Sequence, residues 1–141
     1  MYDQALGLPS LSPAVTAAGV DHVRLSYHYI DSGDIDGLGS LLDERASVER
    51  PDAPDGRGRS EVLRVHGELA GAGVRHRISR VVAQGDCVAV LGRFSRSAGP
   101  REAEVEFADF FTISPEGMLL SCRRFYFATP DGGPPPDAEP G

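Results

Sequence analysis

The sequence predicts an α+β domain: three N-terminal helices packed on a curved, mostly antiparallel sheet. Three observations carry this. Apolar residues recur at helical spacing through the first half of the chain. From Val74 onward they alternate at the two-residue period of strands. Turn residues then divide the strand region, at Gly85-Asp86 and at Ser114-Pro115-Glu116-Gly117. At 141 residues the chain suits one domain with one core.

Residues 1–12 have no clear period and are expected to form an arm. Ser12 is placed to cap a first helix, with Pro13 at its first position. Val15, Val23, Tyr27 and Ile30 mark its apolar stripe, and Gly33 ends it. "DIDGLGSLLDE" (34–44) predicts a short second helix capped by Asp34, with Ile35, Leu38, Leu41 and Leu42 inward. "ASVERPD" (46–52) reads as a short strand stopped by Pro51, and "APDGRGR" (53–59) as a loop. Ser60 is placed to cap a third helix whose apolar side is Val62, Leu63, Val65 and Leu69. Four strands follow, "VRHRISRVVAQ", "CVAVLGRFSR", "AEVEFADFFTI" and "MLLSCRRFYFA". The Pro/Gly/Asp-rich stretch 129–141 cannot bury a core and is expected to be a disordered tail, leaving 13–128 as the domain. A sheet curved around helices leaves a concave end, a natural ligand pocket.

Composition narrows the partners. Hydrophobic residues at 40% and charged residues at 25% are ordinary for a globular chain. A net charge of −7 argues against nucleic acid, whose phosphates need a basic face. No polybasic run suits an anionic membrane, and no apolar run of about eighteen residues suits a membrane span. The N-terminus lacks the pattern of a secretory leader, so the expected location is cytoplasmic. Cys87 and Cys122 form no CxxC motif and read as buried small hydrophobes. The lysine-free composition, rich in Gly, Ala and Arg, fits a GC-rich bacterial genome.

The hairpin 105–127 carries the most chemistry. One face of its first strand is Val105, Phe107, Asp109, Phe111 and Ile113; the other is Glu106, Ala108, Phe110 and Thr112. Asp109 therefore sits on the more apolar face. A carboxylate there must find a donor or take a raised pKa, which suits either an architectural ion pair or an acid/base in a pocket wall. In the last strand Cys122, Arg124 and Tyr126 alternate with Ser121, Arg123 and Phe125. Pairing across the 114–117 turn brings Cys122 and Arg124 near residues 107–109, so Arg124 is expected on the Asp109 face and Arg123 on the other. Arg124 is then a structural partner or a clamp on a substrate oxygen. Arg93, on the preceding strand, is a further candidate for substrate contact. His66 and His76 are candidates to line the pocket, while His22, His28, His66 and His76 match no metal spacing. No phosphate loop, GxSxG or dinucleotide fingerprint is present, and no cofactor is expected.

"YIDSGDIDGLGSLLDERASVERPD", a Gly-Arg helix start and "FADFFTISPEGMLLSCRRFYF" together resemble the SnoaL-like branch of the NTF2-like superfamily, over roughly residues 14 to 128. That superfamily includes ketosteroid isomerases, scytalone dehydratases, limonene-epoxide hydrolases and polyketide cyclases. The resemblance implies a cone-shaped α+β fold with a deep apolar pocket, in a homodimer. Asp109 matches the strand aspartate that is the acid/base of SnoaL-type cyclases; in ketosteroid isomerases that position is a protonated aspartate of the oxyanion hole. The isomerase's base falls on Arg50 and its oxyanion tyrosine on Ser26, with Tyr27 adjacent, so two of its three key groups are replaced. The epoxide hydrolase set of Asp, Arg and Asp lacks its second aspartate in the last strand. His66, His76, Tyr27 and Tyr126 could only loosely stand for the dehydratase set.

The SnoaL-type cyclase pattern is therefore the least contradicted. It implies a cofactor-free tailoring enzyme, a cyclase, isomerase or dehydratase of bacterial polyketide or antibiotic biosynthesis. Asp109, Arg124 and His66 would be catalytic on a hydrophobic small molecule. Tyr27, Ser26, Arg50, His76, Arg93, Phe107, Phe111, Cys122 and Tyr126 would contact it. The alternatives are a non-catalytic binding protein for a hydrophobic metabolite, and an accessory protein whose pocket is filled by its own side chains. An open pocket ending at Asp109 separates the last from the other two.

Overall fold

The computed structural model describes residues 2–3, 8–9, 11–70, 73–97 and 103–127. The 129–141 stretch, most of the arm and the 98–102 loop lie outside the described residues. The elements run β1 (Tyr2–Asp3), β2 (Leu8–Pro9), α1 (Pro13–Ser32), α2 (Ile35–Gly39), β3 (Leu42–Arg50), β4 (Ala53–Arg57), α3 (Arg59–Ala70), β5 (Val74–Gln84), β6 (Cys87–Arg96), β7 (Ala103–Ile113) and β8 (Leu119–Tyr126). β1 and β2 pair with each other, and the other six strands form one curved sheet in the order β4-β3-β8-β7-β6-β5. Every pairing in that sheet is antiparallel except β3 with β8.

α1 forms where its caps specify. The Ser12 side chain accepts from the Val15 N–H at 3.2 Å, and Gly33 closes the helix in the left-handed region at φ 73°. Its buried face is Gly19, Val23, Ser26, Tyr27 and Ile30, and it packs on β5 to β8. At Gly19 an added Cβ would overlap the Ile113 side chain, so the glycine lets α1 lie close on β7.

The helices do not all precede the sheet as expected. β3 and β4 separate α2 from α3. α2 spans only Ile35–Gly39; Leu41 falls in a turn and Leu42 opens β3. Asp34 does cap it, accepting from the Gly37 N–H at 2.8 Å. Gly37 and Gly39 then weaken it, and long-range pairing of Leu42 with Leu119 takes the chain into the sheet. "APDGR", expected as loop, is β4, an edge strand paired to β3. Its Gly56 lets α3 approach, since a Cβ there would crowd Val48 and the Val62 backbone. α3 starts two residues early, at Arg59, so Ser60 lies in its first turn rather than at its cap.

The long β5–β6 hairpin bends over the helices. Its register shifts between Ile78 and Arg80, opposite Gly92, whose Cβ would collide with the Arg77 carbonyl oxygen. The core between helices and sheet is centred on Val23, Leu38, Val88, Val90, Phe107 and Ile113. Among the described residues no helix is long and apolar enough to cross a membrane.

Candidate functional site

Strand alternation turns Asp109 into the concave side of the sheet, between Phe107 and Phe111, and leaves it 1% exposed. Register places Arg124 of β8 directly opposite it. The guanidinium meets the carboxylate with two bonds: Nε donates to Oδ1 and Nη2 to Oδ2, each at 2.8 Å. From α1 the Tyr27 hydroxyl donates to Oδ2 at 2.6 Å. Arg124 Cζ lies 4.2 Å from the Phe107 ring centre and 5.1 Å from that of Phe94.

A second carboxylate stands nearby. Asp52, 1% exposed in its side chain, follows Pro51 in the β3–β4 connection. Arg50 chelates it: Nε donates to Oδ1, and Nη2 donates to Oδ2 at 2.7 Å. Arg96 Nη2 donates to Oδ2 at 3.0 Å, and the Tyr126 hydroxyl donates to the same oxygen at 2.9 Å. Tyr126 in turn accepts from Arg50 Nη2 at 2.9 Å and from Arg124 Nη1 at 3.5 Å. The two carboxylates are thus joined through Arg124, Tyr126 and Arg50.

Electrostatics follow from this geometry. Burial alone would raise the Asp109 pKa, but the charge of Arg124 and the hydrogen bonds from Arg124 and Tyr27 outweigh it and hold the carboxyl below its usual range. The apolar wall therefore does not keep Asp109 neutral, because its donors are strong. For Asp52 burial again pushes upward, and the bonds and charge of Arg50 bring it down to about 2. Burial and the Asp109 charge raise Tyr27 well above the ordinary tyrosine value, so it keeps its proton. Burial, then the charges of Arg50 and Arg124, lower His66 to about 3, so the imidazole is neutral at pH 7. His76 is also lowered by burial, despite its bond to Asp31.

Above Asp109 lies a cavity between the sheet, α1, α2 and α3. Its walls are mostly apolar, with Ile30, Ala46, Val48, Val62, Phe111 and Leu119 among them. Its empty volume is about 510 Å³ with the mouth included. Asp109, Arg124, Arg50 and His66 are among its lining residues.

Of the residues singled out from sequence, Asp109, Arg124, Tyr27, Ser26, Arg50, His66, Phe111 and Cys122 all line this cavity. The Ser26 hydroxyl is spent on its own helix, donating to the Val23 carbonyl at 2.6 Å. Phe107, Tyr126 and His76 stand behind the wall: Phe107 under Arg124, Tyr126 between the arginines, and His76 against Tyr27, Phe94 and Phe107. Arg93 is not part of the site. Val88, Val90 and Phe94 face inward on β6, so alternation turns Arg93 outward, where it is 51% exposed and faces Glu104 at 3.4 Å. Arg123 is also outward, near Glu49.

Two acids escaped sequence reasoning. Asp52 had a faint local signal, since Pro51 forces a turn that can fold Asp52 back onto Arg50. Asp31, in the last turn of α1, had none. It accepts from the His76 backbone N–H at 2.8 Å and lies 2.6 Å from the ring Nδ1, across 45 residues of sequence. Among the described residues no three His, Cys, Asp or Glu side chains could together hold a metal ion.

A SnoaL-like domain family model matches residues 23–121. No curated protein sequence matches the chain. Among solved structures the chain is similar to Bal32a from a soil-derived mobile gene cassette, at 24% identity and TM-score 0.73, covering 80% of this chain and 92% of that one. It is also similar to SalBIII, an epoxide hydrolase/cyclase-like enzyme of pyran ring formation in the polyether salinomycin, at 22% identity and TM-score 0.69, with 77% and 90% covered. A third likeness is to an epoxide hydrolase of the limonene-epoxide type from M. tuberculosis, at 18% identity and TM-score 0.71, with 79% and 84% covered. Likeness at this identity speaks for a shared fold.

Proposed function

The chain belongs to the SnoaL-like domain family, and from that premise we propose that it is a cofactor-free tailoring enzyme acting on a hydrophobic small molecule in bacterial polyketide or antibiotic biosynthesis. The reaction is a cyclisation, isomerisation or dehydration driven by proton transfer. The observation that carries this reading is the buried carboxylate of Asp109 in the wall of a mostly apolar cavity.

Asp109 enters the reaction ionised and takes up a proton. Held by Arg124 and Tyr27 it is a weak base at rest. A substrate oxygen that draws on Arg124 weakens that hold, and a ligand that expels water raises the basicity of the carboxylate. Arg124 and His66 then face the oxygen on which charge develops. Apolar walls orient the rest of the molecule. The ring formation attributed to SalBIII is consistent with such chemistry.

Incubation with a panel of linear polyketone thioesters and hydroxy-epoxides, read by mass spectrometry, tests the reading. We expect ring closure or loss of water by the wild type, and a drop of about 10² to 10⁴ in rate for Asp109→Asn. Equal turnover by that variant would remove Asp109 from the chemistry.

A second reading is favoured by Arg50. It stands at the place of the isomerase's base and is tied to Asp52. A protein that only binds a hydrophobic intermediate needs no free base there. In that case Asp109→Asn changes affinity, and the panel yields no product with either protein.

The chain acts as a homodimer. What supports pairing is the outward face of the sheet, where Leu91, Phe110, Phe125 and Phe127 are exposed and Phe110 stacks edge-on with Phe125 at 6.0 Å.

A further inference from the structure

The polar end of the cavity holds more donors than its own acceptors use. Arg50 is 3% exposed in its side chain yet lines the cavity. Its Nε and Nη2 serve Asp52 and Tyr126; among the described residues its Nη1 makes no hydrogen bond. Arg124 spends Nε and Nη2 on Asp109, and its Nη1 reaches only the Tyr126 oxygen, at the 3.5 Å limit. Both guanidiniums reach that one oxygen, so their forks lie side by side. His66 lines the same cavity from α3, and its Nδ1 is buried without a partner.

The acceptors here are already occupied. Both oxygens of Asp109 are taken by Arg124 and Tyr27, and both of Asp52 by Arg50, Arg96 and Tyr126. After burial, the charges of Arg50 and Arg124 are what most oppose protonation of His66, so their positive field reaches across the cavity. A buried polar atom without a partner, as His66 Nδ1 is, is costly unless a ligand supplies one.

We propose that this corner is an oxyanion subsite: the ligand is a hydrophobic molecule whose planar, delocalised oxyanion, a carboxylate or an ionised enol, is held by Nη1 of Arg50 and Nη1 of Arg124 and completed by an N–H of His66. Two planar forks suit such an anion better than a point charge would. The proposal rests on the reading that this cavity binds a hydrophobic small molecule, and it names the group that enters first.

Calorimetric titration of the full chain with cinnamate and with cinnamamide at pH 7 tests it. The two differ in charge and little in shape. We expect cinnamate to bind about tenfold tighter or more. The double variant Arg50→Gln with Asp52→Asn removes the donor without stranding a buried charge, and should bring the preference below about threefold. Benzoylacetone separates the two sources of the anion. Uptake of its ionised enol, read by the ultraviolet band of the enolate, assigns the subsite to enolates; cinnamate preference without that band assigns it to carboxylates. Equal binding of cinnamate and cinnamamide, with no enolate band, would overturn the subsite and leave the cavity as a ligand site. Failure of all three compounds to bind would overturn both.

Discussion

Asp109 and His66 face the same cavity, and each is kept in one protonation state by its neighbours. For His66 the consequence is a pH dependence of stability. Its folded pKa of about 3 lies below the ordinary 6.5, so the unfolded chain takes up a proton that the folded one refuses. The stability it provides is complete above pH 6.5 and is lost as pH falls toward 3. His76, lowered in the same direction, adds to this loss. Asp52 contributes at lower pH: its folded pKa of about 2 means that its stability fades only between about 4 and 2. We therefore expect the melting temperature to decline from pH 6.5 downward. The slope between pH 6.5 and 4 should be shallower in His66→Leu, as followed by circular dichroism. An unchanged slope would mean that His66 is not held neutral.

At the scale of elements, the hairpin β7–β8 was legible because alternation and a short turn suffice to define it. Those two features place Asp109 opposite Arg124 and turn Arg123 away. The same alternation turns Arg93 outward, against the expectation that it contacts substrate. The first half was harder. Leu41 and Leu42 look helical after Leu38, but Leu42 is claimed by its parallel partner Leu119. Glycine content hid β4, whose Gly56 is needed for packing rather than for a loop. The bend in β5–β6 is the testable element. Gly92→Ala would drive a Cβ into the Arg77 carbonyl, which cannot move without the ladder. We expect a loss of about 1–3 kcal/mol in urea unfolding. Gly39→Ala, in α2, whose Cβ would only touch Leu63 of α3, should change stability by less than about 1 kcal/mol in either direction. Equal effects at both sites would contradict the bulge as the cause.

Across the whole molecule, the cavity exists because distant segments meet. β3 pairs with β8 in parallel, which brings Arg50 to Tyr126 across 76 residues. No local pattern announces such a meeting, so Tyr126 and the Arg50–Asp52 pair could not be read as a unit. The outward sheet face belongs to the same scale. If Phe110 and Phe125 form a dimer contact, Phe110→Asp should convert the protein to a monomer in analytical ultracentrifugation and leave its circular dichroism unchanged; a wild type that sediments as a monomer would contradict the contact. Everything proposed for the cavity depends on the state of one carboxyl in its wall. Carbon-13 NMR of the Asp109 side chain, assigned with Asp109→Asn, reads that state directly. We expect that resonance to titrate with a midpoint below the ordinary aspartate value. A titration midpoint at or above the ordinary aspartate value would contradict it.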